Sequence, residues 1–391
     1  MKFCLNIDWL AFYCLYELEG DFSQNSAEFG WIMSNWSNLT RAIPEIGKDL
    51  QGDLHFRKQA YGTRQFKDLY HIYCGKEKLA ELQLHPHSKI LDKRGAIIKI
   101  ENRRLYLEGF MPLVNCLIDA IGLQVMNLSR LDICADFRKF DFVSCRGFIE
   151  GVMNSTYRHV GRGFGAAYFA HGAKKVGKFS KGLLKYNGLS YGSNSSPVRA
   201  YLYNKTLELL TQTDKPYIRD VWVKAGLIDE LVDWSKQDVW RLEISIKSEG
   251  MEIATPFEES HAISWADVTR KEPTPDEMSL ESLYFSFVHR KFRFIRNHDH
   301  ITNVSREPVL ELFGKDHAAL YSCAPRKVTG SNRTERILIK SLWMMSQIYR
   351  GMDDEEEENR TKSLASKFAK ANDLQDWLQR RRTEWDEPTY K

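Results

Sequence analysis

The segment from Val198 to Leu209, VRAYLYNKTLEL, places two tyrosines close to a lysine and a glutamate. Arg199, Tyr201 and Tyr203 are spaced two residues apart, and Lys205 continues the series. An extended backbone would direct these side chains to one side. A phenol held beside a cation is a plausible nucleophile for a phosphodiester. The same spacing also fits the solvated face of an ordinary strand, so other segments must separate the two interpretations.

Two further segments carry carboxylates in the same alternating pattern. In LSRLDICADF, residues 128–137, Asp132 and Asp136 share a predicted strand face with Arg130. In VWRLEISIK, residues 239–247, Arg241, Glu243 and Lys247 share a face, and the alternate positions are apolar. Carboxylates are costly to bury unpaired, so a metal ion or cationic partners should accompany them.

If the three segments lie in one sheet, their polar faces bring the tyrosines and the acids together. Asp132, Asp136 and Glu243 would supply hard oxygen ligands for Mg²⁺ or Mn²⁺, and the ion would polarise the scissile phosphate. Tyr203 would attack, and Lys205 would offset the charge that develops on the phenolate or the phosphorane. An antiparallel sheet with cross-strand Arg–Asp and Lys–Glu pairs on a wet face is the alternative that periodicity leaves open.

A second pair of candidate metal ligands is His85 and His87 in LQLHPHSK. A His-x-His pair with a distant tyrosine is typical of another class of nicking enzymes. Here Pro86 separates the two histidines, and a proline would interrupt the hydrogen-bond ladder of a central strand. We therefore favour a polar strand end for this segment.

The elements that must position these residues indicate an α+β fold. Short alternating runs punctuated by Gly, Asn and Asp fill the first 250 residues, with helical periodicity at 28–39, 111–121 and 142–153. This pattern predicts a catalytic domain over 1–250 with a largely antiparallel, twisted sheet and flanking helices. Residues 251–391 are predicted to be mainly helical, and we expect that region to bind the origin or a partner.

Charge and composition favour a nucleic-acid partner. Between Arg146 and Arg219 there are 12 Lys and Arg against three acidic residues, although the whole chain carries a formal charge of only +4. Glycine, lysine and aromatic residues dominate 157–185, which predicts a basic loop over bound DNA. No apolar run is long enough to span a membrane, the N-terminus lacks a signal-peptide cleavage site, and the seven cysteines form no CxxC pair. These features predict a cytoplasmic protein.

The three segments, in this order and at this spacing, resemble the replication initiation factor family of the Rep_trans type. That family comprises initiators of rolling-circle plasmids and phages, with related relaxases, and filamentous-phage replication endonucleases look similar across the same segments. The resemblance covers residues 1 to about 250. The family pattern is RxDxxxD, then YxGSxxSxxxxRxYxK, then RxExxxK. The residues that carry it are Arg130, Asp132, Asp136, Tyr191, Gly192, Ser193, Ser196, Tyr203, Lys205, Glu208, Arg241, Glu243 and Lys247.

The resemblance implies an origin-specific, metal-dependent nick with a 5′-phosphotyrosyl link and a free 3′-hydroxyl that primes replication. It singles out Tyr203 as the nucleophile, with Lys205 and Glu208 in the same motif. Tyr201 matches no catalytic position of the pattern, but it shares the strand face and is kept as a further catalytic candidate that would substitute for Tyr203 or stack on DNA. The expected ligands of Mg²⁺ or Mn²⁺ are Asp132, Asp136 and Glu243. Expected DNA contacts are Arg130, Lys174, Lys175, Lys178, Lys181, Lys185, Ser193, Ser196, Arg199, Arg241 and Lys247.

The expected partner is origin DNA, single-stranded or cruciform, bound by a homodimer, with a host helicase or replisome as a further candidate. A relaxase of a conjugative or mobilizable element would perform the same chemistry, and only genetic context separates it from an initiator. A non-catalytic, sequence-specific DNA-binding regulator is the alternative from another class. Clustered carboxylates near phosphate argue against it, because a binding module does not need them.

Overall fold

A computed structural model describes residues 2–16, 27–42, 53–88, 91–107, 110–160, 167–169, 186–253, 261–269, 279–298, 307–314, 333–371 and 374–386. Contacts divide the chain into two compact units, Met1–Cys323 and Ala324–Lys391. The division falls after the 250/251 boundary predicted above, because residues that follow Gly250 pack into the core of the first unit.

The first unit is built on a ten-stranded sheet in the order β2-β3-β4-β5-β1-β6-β11-β10-β9-β8, and each pairing within it is antiparallel. This confirms the predicted α+β class with a largely antiparallel sheet. The strands are β1 (Phe3–Tyr16), β2 (Leu54–Lys58), β3 (Phe66–Cys74), β4 (Glu77–Pro86), β5 (Gly95–Ile100), β6 (Leu123–Phe137), β7 (Tyr157–His159), β8 (Ala167–Phe169), β9 (Gly188–Tyr191), β10 (Val198–Asn204), β11 (Trp240–Lys247), β12 (Glu252–Ile253), β13 (His261–Ala262) and β14 (Phe294–Arg296). The remaining strands form two small pairs, β12 with β13 and β14 with β7.

The described part of the first unit also contains helices. They are α1 (Ala27–Ala42), α2 (Asn102–Leu105), α3 (Phe110–Ile121), α4 (Cys145–Met153), α5 (Lys205–Thr211), α6 (Pro216–Lys224), α7 (Trp265–Thr269) and α8 (Leu280–Lys291). Of these, α8 starts at a capping box between Ser279 and Ser282. Its Tyr284 hydroxyl donates to the Leu242 carbonyl at 3.0 Å, which ties this helix to β11.

The core lies on the apolar face of the sheet. Leu131, Leu202, Leu242 and Ile244 alternate with polar neighbours along the three motif strands and are wholly buried. This arrangement follows from the two-residue period of a strand, which sends alternate side chains to opposite faces. The polar face therefore carries the candidate functional side chains.

The second unit has its own small apolar core. Its helices are α9 (Arg333–Gly351), α10 (Glu355–Ala371) and α11 (Gln375–Asp386). Ile339 and Trp343 of α9 pack with Ala365 of α10 and Leu378 of α11. This confirms the predicted helical character of the C-terminal region. Over the described parts of the chain, none of the helices combines the length and apolarity needed to cross a membrane.

Candidate active site

The three motif strands lie side by side, with β11 between β6 and β10. Directly opposed residues on neighbouring strands share a face, so the polar side chains form rows across the sheet. The rows are Tyr203–Arg241–Asp136, then Tyr201–Glu243–Cys134, then Arg199–Ser245–Asp132, and finally Lys247–Arg130. The acid-bearing and tyrosine-bearing segments, which are far apart in sequence, therefore meet on one surface.

A direct hydrogen bond joins the predicted nucleophile to a predicted metal ligand. The Tyr203 hydroxyl donates to Oε2 of Glu243 at 3.0 Å. Burial, together with the negative charges of Asp8 and Asp132, raises the pKa of Glu243 to about 8. Burial also raises the pKa of the Tyr203 phenol well above its ordinary value, and Glu243 adds to this effect. A carboxyl that titrates near neutral pH beside a phenol can accept the proton of that phenol.

Lys205 and Glu208 lie at the start of α5, directly after β10. The Asn204 side chain caps this helix by accepting a hydrogen bond from the Leu207 amide at 2.9 Å. Lys205 is 1% exposed, forms an ion pair with Glu208, and has its Nζ 5.5 Å from the centre of the Tyr203 ring. The motif lysine therefore packs beside the aromatic ring of Tyr203 and contributes positive charge to a buried region.

Asp136 and Arg241 form a wholly buried ion pair. The Arg241 guanidinium donates to both Asp136 oxygens, from Nε at 2.6 Å and from Nη2 at 2.7 Å. Trp222 donates its indole N–H to Asp136 Oδ2 at 2.8 Å, and Arg241 Nη1 donates to Asp8 Oδ1 at 2.6 Å. Tyr106 also donates to Asp8.

These contacts show the surroundings of two residues that were assigned roles from the sequence. Asp136 is predicted above to bind a metal ion, but its oxygens accept hydrogen bonds from Arg241 and Trp222. Arg241 is predicted to contact DNA, but it is 0% exposed and its donors point to carboxylates. Both residues instead form the polar interior beneath the tyrosine.

Asp8 is a member of this network that sequence reasoning missed. Although burial favours its neutral form, Arg241 and Lys205 hold the pKa of Asp8 below its ordinary value. The available signal was an acid inside the apolar strand CLNIDWLAFYC, because a buried carboxylate needs a partner.

Asp132 is paired with the first arginine of its own motif. Arg130 donates to both Asp132 oxygens, at 3.0 and 2.6 Å. Burial raises the pKa of Asp132, even though Arg130 and Ser245 act in the opposite direction. Among the residues that the structure describes, no three His, Cys, Asp or Glu side chains come together as a metal site. The described side chains do not fit the predicted three-carboxylate site.

Cations with neutral partners lie at the other end of the same face. Arg199 donates to the side-chain oxygen of Asn194, and Lys247 donates to the Asn194 backbone oxygen. The turn that holds Asn194 follows Gly192, which has φ +98°, and is closed by a 2.9 Å hydrogen bond from the Ser193 amide to Ser196 Oγ. Two cations that are not neutralised by these contacts can bind phosphate.

The tyrosines of the motif occupy different environments. Tyr201 is half-buried, with the Arg199 guanidinium 4.3 Å from its ring centre, whereas Tyr203 is 7% exposed. Tyr191 opposes Ala200 on the apolar face, and its ring stacks on His159 at 4.1 Å. Tyr201 and Tyr203 therefore share the acid-bearing face, and Tyr191 lies behind it.

The remaining predicted residues lie elsewhere. His85 pairs with Asp68 at 2.6 Å at the end of β4, and β5 and β1 separate that strand from β6. The lysines of the basic loop are outside the described residues; they are Lys174, Lys175, Lys178, Lys181 and Lys185.

Comparison with solved structures finds a structural neighbour. No protein-family model matches the chain, and no curated protein matches it. The structure is similar to that of a rolling circle replication initiator protein from Geobacillus stearothermophilus, at 12% sequence identity and a TM-score of 0.42. The match covers 79% of this chain and 93% of the other. A likeness at this level does not carry an argument about function, which must come from the residues.

Proposed function

We propose that this protein initiates rolling-circle DNA replication by nicking one strand at an origin, with Tyr203 as the nucleophile. The observation that carries the proposal is the hydrogen bond from the Tyr203 phenol to Glu243, on a face where three motif strands meet. The resemblance of those motifs to replication initiators supplies the substrate class. We also propose that the origin is bound as single-stranded DNA, that the protein binds it as a homodimer, and that a host helicase is a further partner.

The reaction follows from the chemistry of the two side chains. Glu243 accepts the phenolic proton as the Tyr203 oxygen attacks phosphorus. The new bond joins the tyrosine oxygen to the 5′-phosphate, and the bond from phosphorus to the 3′ oxygen breaks. The 3′ oxygen takes up a proton from water and becomes the hydroxyl that primes synthesis, and Glu243 returns its proton to the solvent. Arg199 and Lys247 bind the neighbouring phosphates, so binding weakens as salt concentration rises.

We also propose that nicking depends on Mg²⁺ or Mn²⁺, which the experiment below tests. The steps above involve no metal ion. The reason is that Asp136 and Asp132 are each occupied by an arginine, and Glu243 accepts from the phenol. These contacts also favour a second candidate, a DNA-binding regulator without catalysis. If the chain is such a regulator, the acids only balance the charges of the buried cations.

One experiment separates the two candidates. The wild type, Tyr203→Phe and Tyr201→Phe are incubated with supercoiled DNA carrying the candidate origin of the same replicon, with Mn²⁺ or with a chelator. We expect nicked circles and a covalent protein–DNA adduct for the wild type and Tyr201→Phe, and neither product for Tyr203→Phe. Undiminished nicking by Tyr203→Phe would refute the assignment of the nucleophile. Origin binding by the wild type without any nicking would favour the regulator.

A further inference from the structure

Trp9 lies on the polar face of the sheet between two cations. Its ring centre is 4.0 Å from Lys99 Nζ and 4.3 Å from the Arg130 guanidinium carbon. Strict alternation from Ile7 would send Trp9 to the apolar face. A β-bulge between Ile7 and Trp9 breaks the alternation and pairs Trp9 with Asp132 instead.

The register shows how this arrangement is built. Ala11 opposes Lys99 on β5 and Arg130 on β6, so the two cations flank a small residue. Ala11 is 4% exposed, while Trp9, two positions earlier on the same strand, stays half-buried. An indole on the hydrophilic face, in contact with two cations, is poorly explained by core packing.

The two cations continue a row that leads into the proposed nicking site. Arg130 opposes Lys247 on β11, so Lys99, Arg130 and Lys247 follow one line across β5, β1, β6 and β11. Adjacent strands are about 4.8 Å apart, so this row is roughly 14 Å long. That length matches a few nucleotides of an extended single strand.

We propose that Trp9, Lys99 and Arg130 bind single-stranded DNA on the β5 side of the nicking site. Lys99 and Arg130 contact phosphates, exchanging their bonds to Glu81 and Asp132 for bonds to DNA, and the indole stacks on a base. The inference rests on the proposed function only in that the bound strand continues toward Tyr203. Trp9 acts in binding and takes no part in the bond-breaking step.

The test measures binding of the full-length chain to a fluorescein-labelled oligothymidylate and to a duplex across a salt series. The variants are Trp9→Ala, Trp9→Phe, Lys99→Gln and Lys78→Gln. The last is a matched control, because Lys78 pairs with the same Glu81 but lies on β4, which β5 separates from the strand of Trp9. Trp9→Phe keeps an aromatic ring if alanine impairs folding, which thermal unfolding will detect.

We expect Trp9→Ala to weaken single-strand binding about tenfold, with a smaller effect of Trp9→Phe. Lys99→Gln should weaken binding. It should also reduce the slope of log affinity against log salt concentration by the equivalent of about one phosphate contact, and Lys78→Gln should change neither quantity. Wild-type affinity for both Trp9→Ala and Lys99→Gln would overturn the inference and leave the proposed function intact. Equal losses in Lys99→Gln and Lys78→Gln would also overturn it. Failure of the wild type to bind single-stranded DNA would reject the proposed function as well.

Discussion

At the scale of single residues, the carboxylates of the site differ in whether they form an ion pair with an arginine. Asp136 shares a bidentate pair with a buried arginine, and Asp132 shares one with a partly exposed arginine. Glu243 accepts instead from a neutral phenol, and the charges of Asp8 and Asp132 lie close to it. Glu243 is therefore an acid on this face whose protonation changes near neutral pH.

Glu243→Gln should stabilise the protein increasingly as pH rises. Because the folded-state pKa of Glu243 is raised to about 8, its contribution to stability is present below the ordinary glutamate pKa and is lost as pH rises toward 8. The gain in unfolding free energy for glutamine should therefore grow by on the order of 2 kcal/mol between pH 5 and pH 8. Urea unfolding at both pH values measures it.

Glu81→Gln is the control with the opposite sign. Although burial raises the pKa of Glu81, Lys78 and Lys99 lower it overall. Its ionised form stabilises the fold above the ordinary glutamate pKa, so glutamine should cost stability at pH 8 and less at acidic pH. A pH-independent effect of Glu243→Gln would contradict the shifted pKa.

Asp136→Asn should act on stability and leave the metal dependence unchanged. Removing one partner of a buried ion pair leaves Arg241 uncompensated, which typically costs about 3–5 kcal/mol. Asp132→Asn, whose arginine is 37% exposed, should cost about 1 kcal/mol. Denaturant unfolding compares the two variants. A large shift in the Mn²⁺ concentration for half-maximal nicking by Asp136→Asn would restore Asp136 as a ligand.

At the scale of elements, the alternating patterns of the three motif strands were sufficient to predict their shared polar face. Leu131, Ile133, Leu242 and Ile244 lie in the core because a strand alternates. The pairing of Asp136 with Arg241 could not be predicted, because register depends on which strands become neighbours. The face on which Trp9 lies could not be predicted either, because the bulge between Ile7 and Trp9 shifts the alternation of the strand.

The junction between β10 and α5 gives a test at this scale. Asn204→Ala removes the cap of α5 and the bond to Asp238, and should cost about 1–2 kcal/mol of unfolding free energy. Because the same residue follows Tyr203, nicking should also slow. Ser144→Ala removes the cap of α4 and should cost about 1 kcal/mol without slowing the reaction. Equal nicking rates for the two variants, measured where both are folded, would contradict a positioning role for this junction.

At the scale of the whole molecule, the chain consists of two units that each have an apolar core. The first contains the candidate active site and includes α8, which packs behind the motif strands. The second consists of three helices in its described part. Of the region 251–391, which we expect to bind the origin or a partner, residues 324–391 form the second unit, and we propose that this unit carries the recognition role.

Deletion of residues 324–391 should leave a folded first unit, because the described residues of its core cluster all lie between Ile7 and Phe313. We expect the shortened chain to cleave a single-stranded origin oligonucleotide and to lose about tenfold or more in affinity for the duplex origin. Circular dichroism and gel-shift titration measure the two outcomes. Undiminished duplex binding would refute the recognition role of this region.

The position of β11 between β6 and β10 has a consequence for synthesis of the chain on the ribosome. Both flanking strands are made before β11, so the nascent chain must keep two strand edges open until Trp240–Lys247 emerges. Open edges can pair with each other or with other chains, and such long-range pairing forms slowly. The strand that carries Glu243 is the last of the ten sheet strands to be synthesised, so the Tyr203 hydroxyl can form its hydrogen bond to Glu243 only after β11 has emerged.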